Sequence, residues 1–159
     1  MTAEEFKQET GSCREKLVSI AAGYLKNRDA AQDIVQDALL KLWTMCSELR
    51  SPLLPLASVL TRNLSLDRLR RHLPVQSLSA EDAADGGDER TEHERIEHMM
   101  HLIESLPARQ QVFLRLRHLQ GMEYGDIARL AGCTETTARK AVSRARQAVR
   151  DQFLKEQRQ

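Results

Sequence analysis

A chain of 159 residues, 41% hydrophobic and 30% charged, can build one ordinary core or two small ones, which excludes a disordered tail. An aromatic share of 4%, few Gly and Pro, and abundant Leu, Ala, Glu and Arg favour helices over strands and predict an all-α fold. The formal charge of +1 conceals a division. Eight of the 23 acidic residues lie between Glu81 and Glu97, whereas residues 105–159 hold 11 Lys and Arg against five Asp and Glu, so a polyanionic partner is expected for the C-terminal part.

Cys13, Cys46 and Cys133 are odd in number and widely spaced, which suggests neither a disulfide framework nor a zinc site and points to the reducing cytosol. No segment approaches the ~20 apolar residues of a membrane span, and the first thirty residues lack a signal-peptide pattern. Membrane insertion and export are not expected.

Leu17, Ile20, Ala21, Tyr24 and Leu25 recur on one helical face, and that pattern stops near Asn27. A second helix is predicted from Asp29 to about Leu49, with Ile34, Val35, Ala38, Leu39, Leu42, Met45, Cys46 and Leu49 on one broad side. Its polar face carries Asp33, Gln36, Asp37, Lys41 and Thr44, with Leu40 in the middle and Trp43 at the edge. Leu40 is therefore expected to be exposed. A single exposed leucine is ordinary, but an apolar anchor ringed by carboxylates also makes a dock for a basic helix.

Ser51-Pro52 and Pro55 break this helix, and a third is expected from about Leu56 to His72, ending at Pro74. Asn63 and Asp67 fall on the same side as Leu56 and Leu60, so they are expected to be partly buried and to need partners. The simplest one for Asp67 is Arg70 or Arg71. Arg62, Ser65 and Arg68 point elsewhere, where the two arginines can track phosphates.

Residues 74–94 are polar and acidic, contain Gly86-Gly87, and read as a flexible linker between a first domain, 1–73, and a second, 95–159. The second opens with an amphipathic helix of Ile96, Met99, Met100, Ile103 and Leu106. Pro107 starts the next helix, which turns Val112, Phe113, Leu116 and Leu119 inward and closes at Gly121. Tyr124 to Ala131 is a short helix, Gly132 a turn, and Thr134 an N-cap for a long final helix. On that helix Ala138, Ala141, Val142, Ala145, Ala148 and Val149 share a narrow arc opposite Thr136, Arg139, Lys140, Ser143, Gln147 and Arg150. Helix, tight turn, helix with long cations outward suits a recognition helix in the major groove; a solvated basic helix on a bundle has the same spacing.

The stretch LPARQQVFLRLRHLQGMEYGDIARLAGCTETTARKAVSRAR, Leu106 to Arg146, resembles the fourth conserved region of bacterial RNA polymerase sigma factors of the small extracytoplasmic-function (ECF) type. The resemblance implies that Thr136, Thr137, Arg139, Lys140, Ser143 and Arg144 read the minus-thirty-five promoter element. The run DAAQDIVQDALLKLW, Asp29 to Trp43, is similar to the sigma segment that docks on the clamp helices of the polymerase largest subunit, and implies Asp33, Gln36 and Asp37 as contacts; Leu40 is added from the wheel. The run TRNLSLDRLRRH, Thr61 to His72, resembles the segment that captures the minus-ten element as melted single strand, with Asn63 beside the pocket for an extruded base and Arg62, Arg68, Arg70 and Arg71 as its cationic rim. Thr136, Ala141 and Leu56-Ala57 depart from the family pattern.

The expectation is a dissociable, cytoplasmic, nucleoid-associated initiation factor, not an enzyme, without cofactor. Its partners would be core RNA polymerase, promoter DNA and an anti-sigma factor. A stand-alone helix-turn-helix regulator of duplex DNA is the alternative. His93, Glu97 and His101, with His98 and Glu104 nearby, recur at metal-ligand spacing, but a linker-helix junction solvates such residues anyway, and no metal is expected.

Overall fold

The computed structural model describes residues 1–71 and 86–158, and among these the chain is helical with no strand, in keeping with an all-α fold. Helix α1, Ala3–Leu25, starts at a capping box in which Thr2 and Glu5 satisfy each other's backbone N–H groups. Asn27 then caps α2, Arg28–Thr44, by accepting from the Ala30 amide at 3.0 Å. A 3₁₀ turn, Cys46–Glu48, follows, so α2 ends at Thr44 rather than near Leu49, while Met45, Cys46 and Leu49 stay buried as their periodicity suggested. Glu9 of α1 ties down the following loop, accepting from Ser51 Oγ at 3.0 Å and the Leu53 amide at 2.9 Å. Helix α3, Leu54–Arg71, packs against α1 and α2.

Helix α4, Gly86–Glu104, begins well before residue 95, so the second half of the stretch read as linker is helical; residues 74–85 of that reading lie outside the described residues. Lack of apolar periodicity does not prevent a helix where Glu and Arg, both good helix formers, are dense. Of the apolar set expected inside this helix, Met100, Ile103 and Leu106 are buried, while Ile96 and Met99 are exposed. Pro107 stands just before α5, Ala108–Leu114, as its cap.

Helix α5 runs into a π-helical turn, Arg115–Leu119, whose wider turn is closed by the Gln120 amide bonding to the Arg115 carbonyl at 2.9 Å. Every residue from Gln111 to Leu116 is buried. A helix buried all round belongs inside a molecule: α5 is covered by α7 on one side and α2 on the other, with the π turn against α3. Leu17, Leu42, Leu56 and Leu60 therefore share one continuous apolar cluster with Val112, Phe113, Leu116 and Ile127, and Met100, Ile103, Leu106, Leu114 and Ala145 form a satellite. Helices α6, Tyr124–Ala131, and α7, Glu135–Gln157, complete the chain with the turn between them at Gly132, φ 74°.

Candidate nucleic-acid interface

The exposed face of α7 is built from its start. Thr134 Oγ1 accepts from the Thr137 amide at 3.1 Å, fixing the direction of the helix, while the small buried residues Ala138, Ala141 and Ala145 let it lie close on α5 and α6. Thr136, Arg139, Lys140, Ser143 and Arg144 point to solvent. Thr137 does not join them: it is half-buried, its hydroxyl accepting from Thr134 Oγ1 at 2.9 Å. The Arg139 guanidinium lies 4.5 Å from the centre of the Tyr124 ring and donates to Glu135 at 2.8 Å, so its fork is held in one direction. Further along, Arg146 Nε donates to His118 Nε2 at 2.6 Å. Burial, then the charges of Arg146 and Arg117, hold the His118 pKa below its ordinary value of 6.5. The neutral ring suits its role as acceptor.

On α2, Leu40 is 54% exposed, and Asp33 and Gln36 are exposed beside it. Asp37 is half-buried and accepts from Lys41 Nζ at 2.5 Å. Trp43 adds a second apolar surface, 48% exposed, with its ring 5.4 Å from that of Phe6 in α1. This is an acid-rimmed apolar patch on a rigid helix, the form a dock for a basic partner helix takes.

Helix α3 departs from expectation in three places. Asp67 is buried, yet its partner is neither Arg70 nor Arg71: Oδ2 accepts from Arg115 Nη1, which comes from the π turn. Arg70 is exposed and Arg71 is drawn to the carboxylates of α4, whereas Arg115, 1% exposed, already lies in the interior. Ser65 does not face solvent; its Oγ donates back to the Thr61 carbonyl at 2.8 Å, a bond that lets a hydroxyl sit inside a helix packing face. Arg71 is occupied by α4. It pairs with Glu97 at 3.3 Å and with Glu104, and the hydrogen bond it donates to Glu97 raises its pKa further above the usual arginine value. Arg62 and Arg70 are exposed and Arg68 is half-buried.

Asn63 is 2% exposed and both ends of its amide are engaged. Oδ1 accepts from Arg115 Nη1 at 3.0 Å, and Nδ2 donates to Gln120 Oε1, also at 3.0 Å. Sequence reasoning missed Arg115 and Gln120. Five residues apart on a regular α-helix, they would point about 140° away from each other; the i→i+5 bond of the π turn brings them to one side. The available signal was an arginine between two leucines, four residues after Gln111, which accepts from its Nε at 3.1 Å.

At the histidine-rich start of the second domain Glu97 and Glu104 face Arg71, and His98 Nε2 lies 2.5 Å from a Glu156 carboxylate oxygen. Among the described residues no three His, Cys, Asp or Glu converge as metal ligands would.

Residues 11–73 match the family model of sigma-70 region 2, and residues 96–149 match that of sigma-70 region 4. Across 155 residues the chain is 28% identical to a probable RNA polymerase sigma factor, RfaY, of Xanthomonas campestris, covering 90% of this chain but spanning only 39% of that protein. It is 24% identical to the RNA polymerase sigma factor SigV of Bacillus subtilis, with 90% of this chain and 87% of that one aligned. Against the ECF RNA polymerase sigma-E factor of Escherichia coli K12 the identity is 27%, over 86% of this chain and 80% of that one. An all-helical chain with a helix-turn-helix at its end, matched by both sigma-70 regions in order over well over half its length, belongs to the sigma-70 family of RNA polymerase sigma factors, in the ECF group.

Proposed function

We propose that this protein is an alternative sigma factor that binds core RNA polymerase through α2, directs it to particular promoters, and helps open them. In this reading Asp33, Gln36, Asp37 and Leu40 dock on the clamp helices of the largest subunit. Thr136, Arg139, Lys140, Ser143 and Arg144 read the minus-thirty-five duplex, with Thr137 contributing through the amide it donates to the Thr134 cap. Asn63, with Arg62, Arg68, Arg70 and Arg71, holds the melted minus-ten strand, and the chain needs no catalytic group of its own. The observation that carries the proposal is Leu40, exposed among carboxylates on α2 in the same chain as an outward cationic recognition helix. A regulator that acts alone on duplex DNA needs only the second of these.

The test is transcription from a promoter library by purified core enzyme with and without the full chain. Initiation at a defined subset of templates, appearing only with the chain and lost with Asp37→Lys, is the expected result. Specific duplex binding with no core association and no initiation on any template would instead make the protein a stand-alone regulator.

A further inference from the structure

We infer that Tyr124, at the start of α6, is a positioning residue for promoter reading: its ring holds the Arg139 fork in place for one base pair of the minus-thirty-five duplex. This rests on the assignment of α7 to that duplex made above. The Arg139 guanidinium carbon lies 4.5 Å from the ring centre and that of Arg117 lies 4.4 Å from it, so one ring serves a cation from the recognition helix and another from the π turn. Arg117 is itself tethered, its Nη1 donating to the Met122 carbonyl at 2.8 Å. The Tyr124 hydroxyl accepts from Arg146 Nη2 at 3.3 Å. Arg139 and Arg146 stand about two turns apart on one side of α7, so the tyrosine spans both turns from the neighbouring helix.

The outward cations of α7 thus fall into two kinds. Arg139 is fixed by the ring and by Glu135, which accepts from its Nη2 at 2.8 Å. Glu135 uses one N–H, the ring face uses none, and the side chain is 59% exposed, so the rest of the fork is open to a base edge. Lys140 and Arg144 are exposed and make no hydrogen bond or ion pair among the described residues. A bidentate contact with guanine needs both N–H groups aligned with O6 and N7, and ordering a loose side chain first costs rotamer freedom. Attraction to phosphate needs charge but carries no sequence information. The fixed Arg139 therefore suits discrimination between bases, and the free Lys140 and Arg144 suit affinity for the backbone. Tyr124 makes the difference between them. It is also half-buried and packs against the main apolar cluster, so its effect on aim has to be measured apart from its effect on the fold.

Full-length wild-type and variant chains, each with core enzyme, select from duplexes in which the minus-thirty-five element of a promoter recovered from the library is randomised, and the bound templates are sequenced. Arg139→Ala is expected to flatten the preference at one base pair. Tyr124→Leu should reduce the preference at that same pair by about two- to fivefold, the size of an exposed cation–π contact, and should add nothing to Arg139→Ala. Tyr124→Phe, which keeps the ring and loses only the bond to Arg146, should restore the preference. An unchanged preference in Arg139→Ala or Tyr124→Leu, or a loss spread evenly over all positions in Tyr124→Leu, overturns the inference. A wild-type chain that enriches no sequence with core enzyme sinks the sigma-factor reading, and the inference with it. A readout that needs no variant to fold is NMR of the free wild-type chain, where the ring should shift the Arg139 side-chain protons upfield; ordinary arginine positions overturn the assignment as well.

Discussion

Arg115 and Asn63 lie 52 residues apart in the chain and meet through a 3.0 Å hydrogen bond between Nη1 and Oδ1, inside a seam that also buries Asp67. This one guanidinium serves Gln111 on its own helix and two side chains of α3, a buried polar contact beside the apolar cluster that the two domains share.

Deleting one half of the buried pair leaves the other charge without compensation. Asp67→Ala should lower the stability of the packed form by about 3–5 kcal/mol, whereas Asp67→Leu combined with Arg115→Met should recover most of that loss. Urea unfolding followed by circular dichroism measures both. A double variant that costs as much as the sum of its single substitutions would show that the pair is not the source.

The outward cations of α7 predict a salt-dependent footprint. Lys140→Ala and Arg144→Ala should each weaken binding to a promoter duplex without unfolding the helix, and a residue that contacts only phosphate should lower the salt slope by about 1. Titrations at several salt concentrations give the slopes. Equal affinity and slope in both variants would remove α7 from the interface.

For the α2 patch the expected signature is a loss of association with an intact fold. Leu40 is 54% exposed, so Leu40→Ala should change stability by no more than about 0.5 kcal/mol. Competition for core polymerase against the labelled wild-type chain should nevertheless show weaker binding, as it should for Asp37→Lys. Wild-type affinity in both variants contradicts the docking proposal.

The turn between α6 and α7 is set by backbone geometry. Gly132 has φ 74°, and a Cβ added there would come within 2.9 Å of Arg50 Cγ. Gly132→Ala should destabilise the chain by roughly 1–2 kcal/mol, mainly through the left-handed backbone since the arginine side chain can move, and Thr134→Ala by about 1 kcal/mol through the lost cap. Thermal melts of the two variants rank the effects; no loss in Gly132→Ala would mean that the turn tolerates a side chain.

His118 gives a pH dependence whose sign follows from its environment. Its pKa in the folded chain lies below the ordinary 6.5, because burial and the charges of Arg146 and Arg117 oppose protonation. The stabilising contribution is therefore present above pH 6.5 and is lost as the pH falls through the folded value. An NMR titration of His118 should show a midpoint below that of an unfolded histidine, and Arg146→Ala should move it part of the way back up. A midpoint at or above 6.5 in the wild type contradicts this arrangement.

The helix-turn-helix was legible from a few residues because its signals are local. Tyr124–Ala131, the glycine at 132 and the cap at Thr134 stand where the sequence put them, since positive φ and an N-cap each need a particular residue at a particular place. The exposed Leu40 was legible for the same reason: a wheel says which side is outward once the opposite side is fully apolar. Local signals failed at Ser65, whose hydroxyl found a carbonyl on its own helix, and at Asp67, whose partner lies 48 residues away.

By itself the sequence determined that the chain is helical, that it ends in a helix-turn-helix with cations outward, and which family it resembles, because periodicity, caps and turn residues act within a few positions of one another. Only the tertiary structure decided that the α5 segment lies between two sets of helices, that Asn63 is covered, and that Arg115 is the residue covering it. These depend on a π turn that changes which side chains share a face, and on a buried charge choosing the one partner able to leave water with it.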